Sequence, residues 1–172
     1  YRDPWSLTVH GFKWPKRLIR PLERRILGKA AAALVISASL AKSLKDAFRP
    51  PQAPLVIANG YDPEQLKTVV ATNFTDFAVV YAGNFYTGQR EIDPVVRAIK
   101  MAAEITRGNT PAIRLHYYGR GILHVMASAR RHGAEGLVEC HGRVPRAESL
   151  AAIQGAGVAV VITSNKDQAD LA

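Results

Sequence analysis

The chain has 172 residues, of which 48% are hydrophobic, and carries a formal net charge of +9. This length suits one ordinary domain, or one domain with part of another, and supplies enough apolar residues for a sizeable core. No apolar run approaches the roughly 20 residues of a membrane-spanning helix, and the sequence shows no signal peptide. The positive charge leaves three classes of partner: nucleic acid, an anionic membrane surface or a phosphorylated small molecule.

The first predicted element is a basic amphipathic helix between Arg17 and Gly28, and Pro21 places its start nearby. Two explanations of the basic residues stay open: a solvated helix face, or a face that binds a membrane surface or a partner. The apolar residues at helical spacing are Leu18, Ile19, Leu22, Ile26 and Leu27, and the cations include Lys13, Lys16, Arg17, Arg20, Arg24 and Arg25.

The next segment predicts a strand, a helix and a second strand. The run "AAALVIS" at 31–37 reads as a buried strand, and Ser39 is the expected N-cap of a helix that carries Leu40 and Leu44. The run "LVIANG" at 55–60 predicts a short strand that ends in an Asn-Gly turn. We interpret the residues from there to about 76 as a connection.

From residue 77 onward, strands and helices alternate regularly. Strands are predicted at 77–83, 112–119, 137–142 and 157–164, and helices at 94–106, 122–133 and 146–155. Asp93 is expected to cap the first of these helices, and Gly133 to end the second. Such alternation predicts an α/β fold, a Rossmann-like parallel sheet with flanking helices. The apolar runs at 77–83 and 157–163 are typical of strands covered on both faces.

Three of the loops that follow these strands combine glycine with arginine. They are "GNFYTGQR", "YYGRGI" and "HGRVPRAE", whereas the fourth loop begins "SNKDQ". Ligands of an open parallel sheet bind beyond the carboxyl ends of its strands. Glycine lets backbone N–H groups approach a phosphate, and arginine adds a planar cation, so these loops predict an anion site. Turns or surface arginines remain the alternative, and no loop matches GxGxxG or a P-loop.

Cysteine and histidine provide no further sign of chemistry. The single cysteine, Cys140, lies in an apolar run, which favours a core residue in a reducing cytoplasm. The five histidines stand singly, without a metal-ligand spacing, so we expect no metal site. Zinc-finger spacing, interleaved aromatics and a long basic tail are absent from the sequence, so no nucleic-acid partner is expected.

The order and spacing of these segments resemble the C-terminal domain of GT-B glycosyltransferases of the large family-4 type. The residues that carry the resemblance are "FAVVYAGNFYTGQREIDPVVRAIKMA", "RLHYYGRG" and "VECHGRVPRAESLAAIQGAGVAVVIT". The earlier "YRDPW", "LERRILGKAAAALVISASLAKSL" and "PLVIANGYDPEQ" resemble the end of the N-terminal acceptor domain and the approach to the linker.

The resemblance implies a cytoplasmic enzyme with two Rossmann-like domains and an active site between them. Residues 1–70 would be the end of the acceptor domain and the linker, and residues 71–172 a truncated nucleotide-sugar-binding domain. The partners would be a nucleotide-sugar donor and a glycan, lipid or small acceptor, with peripheral membrane contact through the basic segment. No metal or other cofactor is expected, because cationic side chains and helix N-termini stabilise the leaving diphosphate in the family.

The resemblance also assigns residues to the two sides of the cleft. Arg90 stands near the family's basic phosphate-binding position, whereas Asn84 replaces the arginine that usually follows Gly83. The acceptor side would be represented by Arg2 and Asp3. The remaining donor-side residues are Gly119 and Arg120 in the second loop, with Gly142, Arg143 and Val144 in the third, where the backbone meets the nucleotide base.

One part of the family pattern lies beyond this sequence. The family carries a pair of glutamates shortly after the segment "VAVVITSNKDQADLA", where the chain ends. We therefore expect a piece of a longer enzyme that lacks a complete active site by itself. A sugar-nucleotide epimerase of the same fold, a non-catalytic binding module and a basic nucleic-acid-binding domain remain the alternatives.

Overall fold

The computed structural model describes residues 4–7, 15–85, 90–106, 108 and 111–162. Strands and helices alternate from residue 77 onward, as predicted. In chain order the elements are α1 (Lys16–Lys29), β1 (Leu34–Val35), α2 (Ala38–Phe48), β2 (Leu55–Val56), α3 (Pro63–Lys67), β3 (Phe77–Ala82), α4 (Asp93–Ile105), β4 (Ile113–Tyr118), α5 (Ile122–His132), β5 (Val138–Gly142), α6 (Arg146–Gly155) and β6 (Val158–Ala159).

The chain divides into two compact units, with the division between Tyr61 and Asp62. In the first unit, β1 pairs with β2 in parallel, and the core is built by Leu27, Val35, Leu40, Leu44 and Phe48. Residues 62–70 group with the second unit, where the Gln154 amide donates to the Leu66 carbonyl. The functional assignment of residues 1–70 and 71–172 stays a prediction.

The second unit is built on a four-stranded sheet in the order β5-β4-β3-β6, and all its neighbouring strands are parallel. The predicted α/β class is therefore confirmed. One face of the sheet packs against α4 and α5 through Leu115, Val96 and Val125, and the other packs against α6 through Val80 and Ala152. The carboxyl ends of β3, β4 and β5 consequently lie along one edge of the sheet.

Three predictions of local structure are wrong. Helix α1 runs through Pro21, which lies inside it and does not mark its start. Ser37 caps α2, because its extended backbone lets its hydroxyl accept from the Leu40 N–H; Ser39 is already helical. Asp93 is the first residue of α4 and makes no capping hydrogen bond, because its carboxylate is held by α5, as described below.

The last and first strands are also shorter and more exposed than predicted. The described part of the 157–164 segment pairs with β3 through only Val158 and Ala159, and Val161 is 85% exposed. Within the described residues, β6 is an edge strand that pairs with β3 alone. The 31–37 segment forms only Leu34–Val35, of which Leu34 is exposed and Val35 buried. The C-cap predicted at Gly133 is confirmed, with φ of 59°.

None of the helices in the described part of the chain is long and apolar enough to cross a membrane.

Candidate functional site

The loops after β3, β4 and β5 line one cavity of about 430 Å³ at the carboxyl edge of the sheet. Six of the residues assigned to the donor side line it: Gly83, Asn84, Gly119, Arg120, Arg143 and Val144. The structure therefore brings together residues that lie up to about 60 positions apart in the chain. The sequence did not indicate its other lining residues, Ala82, Tyr118 and Ser149.

The cavity is cationic. Among the described residues that line it, Arg120 and Arg143 are the charged ones, and none is acidic. Helix α6 begins at Arg146, three residues after Arg143, and contributes Ser149 to the wall. Two guanidinium groups and polar backbone are the groups that recognise a phosphorylated ligand.

Backbone hydrogen bonds join the three loops beside the cavity. The Gly83 N–H donates to the Tyr118 carbonyl, and the Gly119 N–H donates to the Gly142 carbonyl at 2.8 Å. Gly142, which does not itself line the cavity, has φ of 75°, in the left-handed region that favours glycine. The turn that presents Arg143 and Val144 therefore depends on a glycine at this position.

A tyrosine hydroxyl supports the first two loops from below. The Tyr117 hydroxyl donates to the Gly83 carbonyl at 3.0 Å and accepts from the Gly121 N–H at 2.8 Å. Burial raises the pKa of Tyr117, so the phenol keeps its proton at neutral pH. A Cβ added to Gly119 would overlap both the Gly83 carbonyl and the Tyr117 hydroxyl. Tyr117 and Gly119 therefore position the two loops. The resemblance assigned Gly119 to the donor side but did not indicate Tyr117.

The loop after β3 is described only in part. Arg90 is half-buried and does not belong to the residues that line the cavity. Residues 86–89, including Gly88, lie outside the described residues, as do Arg2 and Asp3 on the proposed acceptor side. The roles given to Arg2, Asp3 and Arg90 stay predictions.

Asp93 at the start of α4 is engaged by α5 instead of facing a ligand. Its carboxylate accepts from the Ser128 hydroxyl and from Arg131 Nη2, the latter at 2.6 Å. The Ser128 hydrogen bond is the main cause that lowers the pKa of Asp93, and Arg131 and His132 add to it. Asp93 therefore places a negative charge in the first turn of α4, where the helix dipole stabilises it.

Two groups lie apart from the cavity lining. Cys140 packs against the core cluster shared with α4 and α5, and burial raises the pKa of its thiol, which agrees with a core residue. His116, Glu139 and His141 bring ligand-type atoms within 4.8 Å of one another on the opposite face of the sheet. These three residues come from two strands, so a search for ligand spacing along the sequence missed them.

Several solved structures share this architecture. No protein-family model and no curated protein matches the chain. Solved structures that resemble it include the lipopolysaccharide outer core galactosyltransferase WaaB in its apo form, at 18% identity and a TM-score of 0.54. They also include the pneumococcal O-GlcNAc transferase GtfA in complex with UDP and GlcNAc, at 14% and 0.53. Anabaena HepE in complex with UDP and glucose gives 14% and 0.56.

These likenesses establish the fold. The alignments cover 81%, 78% and 92% of this chain, so the GT-B Rossmann-like architecture predicted from the resemblance is confirmed. The chain spans 38%, 26% and 44% of the three solved chains, which is less than half of each.

Proposed function

We propose that the protein to which this chain belongs is a glycosyltransferase that uses a nucleotide-sugar donor. The observation that carries the proposal is the single cavity formed by the loops after β3, β4 and β5, with Arg120 and Arg143 as its charged residues. It lies where open α/β sheets bind ligands. The solved structures of the same fold are glycosyltransferases, two of them in complex with UDP, which supports this reading of the cavity.

In the proposed reaction, the arginines stabilise the diphosphate that leaves the sugar. The bond between the anomeric carbon and the diphosphate oxygen breaks, and its electron pair leaves with the diphosphate. The acceptor hydroxyl forms the new bond to the anomeric carbon through its oxygen, and its proton is taken up by the leaving diphosphate or by solvent water. Two guanidinium groups that line one cavity stabilise the negative charge of the diphosphate by attraction and charge-assisted hydrogen bonds. Arg120 and Arg143 would supply that stabilisation, so the proposed transfer requires no metal. The acceptor is proposed to be a glycan, a lipid or a small molecule.

The third loop is proposed to hold the nucleotide base. Gly142 turns the chain, and Val144 lines the same cavity as Arg143. Base edges are recognised by backbone N–H and carbonyl groups, which need a fixed loop. The hydrogen bond from the Gly119 N–H to the Gly142 carbonyl supplies that constraint.

Peripheral membrane contact is a separate part of the proposal. Helix α1 exposes Leu18, Leu22 and Ile26, whereas Ile19 and Leu27 are buried in its own unit. Exposed cations, among them Arg17, Arg20, Arg24 and Arg25, accompany the apolar stripe. Such a helix binds anionic lipid through apolar burial and charge. Binding to phosphatidylglycerol vesicles should weaken with salt and with substitution of these arginines by glutamine; equal binding of that variant would contradict the contact.

Turnover by the full-length protein tests the proposed function. Donors with uridine, guanosine and adenosine bases are incubated with and without candidate acceptors, and release of nucleoside diphosphate is measured. We expect one base to support release, which Arg143→Ala reduces strongly and Arg97→Ala on exposed α4 surface does not. Conversion of a donor to its epimer without diphosphate release would contradict the proposal and favour an epimerase. Absence of both diphosphate release and epimer formation with every donor would contradict both enzyme activities.

A further inference from the structure

A cluster of polar side chains lies across β4 and β5, on the sheet face opposite α4 and α5. The register places His116 of β4 beside Glu139 of β5. His141 lies at a register shift in β5, and its ring stacks on the rings of His116 and Tyr118, which places it on the same face. The cluster contains two imidazoles and a carboxylate, which are the ligands of common zinc sites.

The separations of the ligand atoms fit a single small cation. His116 Nδ1 lies 3.0 Å from His141 Nε2. The two carboxylate oxygens of Glu139 lie 3.9 Å from these nitrogens, Oε2 from His116 and Oε1 from His141. A tetrahedral zinc ion with bonds of about 2.0–2.2 Å holds its ligand atoms about 3.3–3.5 Å apart. The imidazole separation lies just below that value, and each Glu139 oxygen lies just above it from one imidazole. One Glu139 oxygen and the two nitrogens lie within 4.8 Å of one another, so the side chains must rotate to bring that oxygen to both nitrogens.

A second carboxylate orients the buried histidine. His116 Nε2 lies 3.0 Å from Asp76 Oδ1, and a carboxylate only accepts, so Nε2 carries the proton. The other ring nitrogen of His116, Nδ1, faces His141 and is the atom available to a metal. Histidine ligands of metals commonly donate their other N–H to a carboxylate in this way. The contact between His116 and Asp76 supports the site independently of the distances among the three ligand atoms.

The charges around the cluster also suit a cation. Three carboxylates surround the imidazoles: Glu139 among the ligand atoms, Asp76 behind His116, and Glu148 near His141. Among the described residues, Arg114 faces the cluster, with Nη1 3.9 Å from Glu139 and Nε 3.8 Å from Asp76. The carboxylates around the imidazoles outnumber this arginine, which suits a bound cation.

We propose that His116, Glu139 and His141 bind a divalent transition-metal ion, with zinc as the best chemical match, in a site that fastens β4 to β5. His116 Nδ1, His141 Nε2 and one Glu139 oxygen are the ligands, and Asp76 orients His116 from behind. His141 and Glu139 are 25% and 50% exposed, which leaves an entry path and a fourth position for water. Binding replaces the hydrogen bond that His141 Nε2 donates to His116 Nδ1, so the His141 proton moves from Nε2 to Nδ1 and leaves Nε2 free for the metal. The inference is independent of the glycosyltransferase proposal.

Metal titration of the purified, untagged and chelator-treated chain tests this site. Co²⁺ serves as a visible-absorption probe, and Zn²⁺ binding is measured by calorimetry and by displacement of Co²⁺. We expect one Zn²⁺ per chain and a rise in the melting temperature with Zn²⁺. His141→Gln and Glu139→Gln should lose both effects, and Asp76→Asn should weaken binding by about 10- to 100-fold.

His124→Gln is the matched control, because His124 is exposed on α5 and contacts the Phe85 ring outside this cluster. It should bind Zn²⁺ like the wild type. Absence of one-to-one binding by the folded wild-type chain would overturn the proposal. So would unchanged Zn²⁺ affinity in His141→Gln and Glu139→Gln proteins whose circular dichroism matches the wild type.

Discussion

The two faces of the four-stranded sheet differ in chemistry, although the same strands build both. Toward α4 and α5, strand β4 presents Leu115 and Tyr117, which are buried in an apolar core. Toward α6 the same strand presents His116 and Tyr118, and His116 is hydrogen-bonded to two titratable neighbours. The first face supports the loops at the sheet edge through Tyr117, whereas the second holds the buried His116 beside the partly exposed His141 and Glu139. The cavity draws on both, since Tyr117 supports it and Tyr118 lines it.

The largest expected effect comes from adding a methyl group where the two loops meet. Gly119→Ala should lower the free energy of unfolding by about 3 kcal/mol, because the new Cβ would overlap the Gly83 carbonyl and the Tyr117 hydroxyl. Gly136→Ala is the control, since nothing lies within 4 Å of its Cβ position. Urea unfolding measures both. Equal stabilities of the two variants would show that the loops separate without strain.

Removing one hydroxyl tests whether the apolar face supports the cavity. Tyr117→Phe should cost about 1–3 kcal/mol, because the Gly83 carbonyl and Gly121 N–H lose their partner in a partly buried place. Tyr118→Phe, on the opposite face, is the matched control and should have a smaller effect. If the two substitutions destabilise the chain equally, the tyrosine faces do not differ as described.

A substitution of Arg90 tests the loop after β3, of which residues 86–89 lie outside the described residues. Arg90→Ala in the full-length protein should weaken nucleoside-diphosphate binding by about 10- to 100-fold, since a charge-assisted phosphate contact contributes roughly 1.5–3 kcal/mol. Arg90→Lys should recover part of the affinity, because lysine keeps the charge but loses the planar fork. Calorimetry measures both variants. Unchanged affinity in folded Arg90→Ala would leave the loop as a turn.

The smallest expected effect concerns pH. The lowered pKa of Asp93 means that its contribution to stability is fully present above its unfolded value near 3.8 and is lost as the pH falls through the folded value. The carboxylate is 36% exposed, so the loss should stay below about 1 kcal/mol. Thermal unfolding from pH 6 to pH 2 should show a smaller acid destabilisation for Asp93→Asn than for Glu104→Gln, the control on α4. Identical pH profiles would contradict this.

The sequence predicted the element order because buried strands and amphipathic helices have different periods, and both are strong after residue 77. Cap positions were predicted less well, since Ser37 and Ser39 have the same chemistry and only the backbone distinguishes them. Helix α3 was missed, although Asp62 caps it and Pro63 opens it, because its five residues are too few for a period.

The site shows the same limit. Glycine and arginine after three strands predicted the shared edge, because parallel strands end together. Tyr117 and the histidine cluster depend on which strands are neighbours and on their register, which a single sequence does not contain. The contact between His116 and His141 spans 25 residues and two strands. A sheet in another strand order would separate them without any change in local pattern.

Titration of uridine, guanosine and adenosine diphosphates into the full-length protein tests the central claim most directly, that the three loops form one diphosphate site. Arg120→Ala and Arg143→Ala should each weaken binding by about 10- to 100-fold, and the double variant by less than the product, because both guanidinium groups would contact one ligand. Arg97→Ala should bind like the wild type. Unchanged affinity in folded Arg120→Ala and Arg143→Ala proteins would contradict the claim.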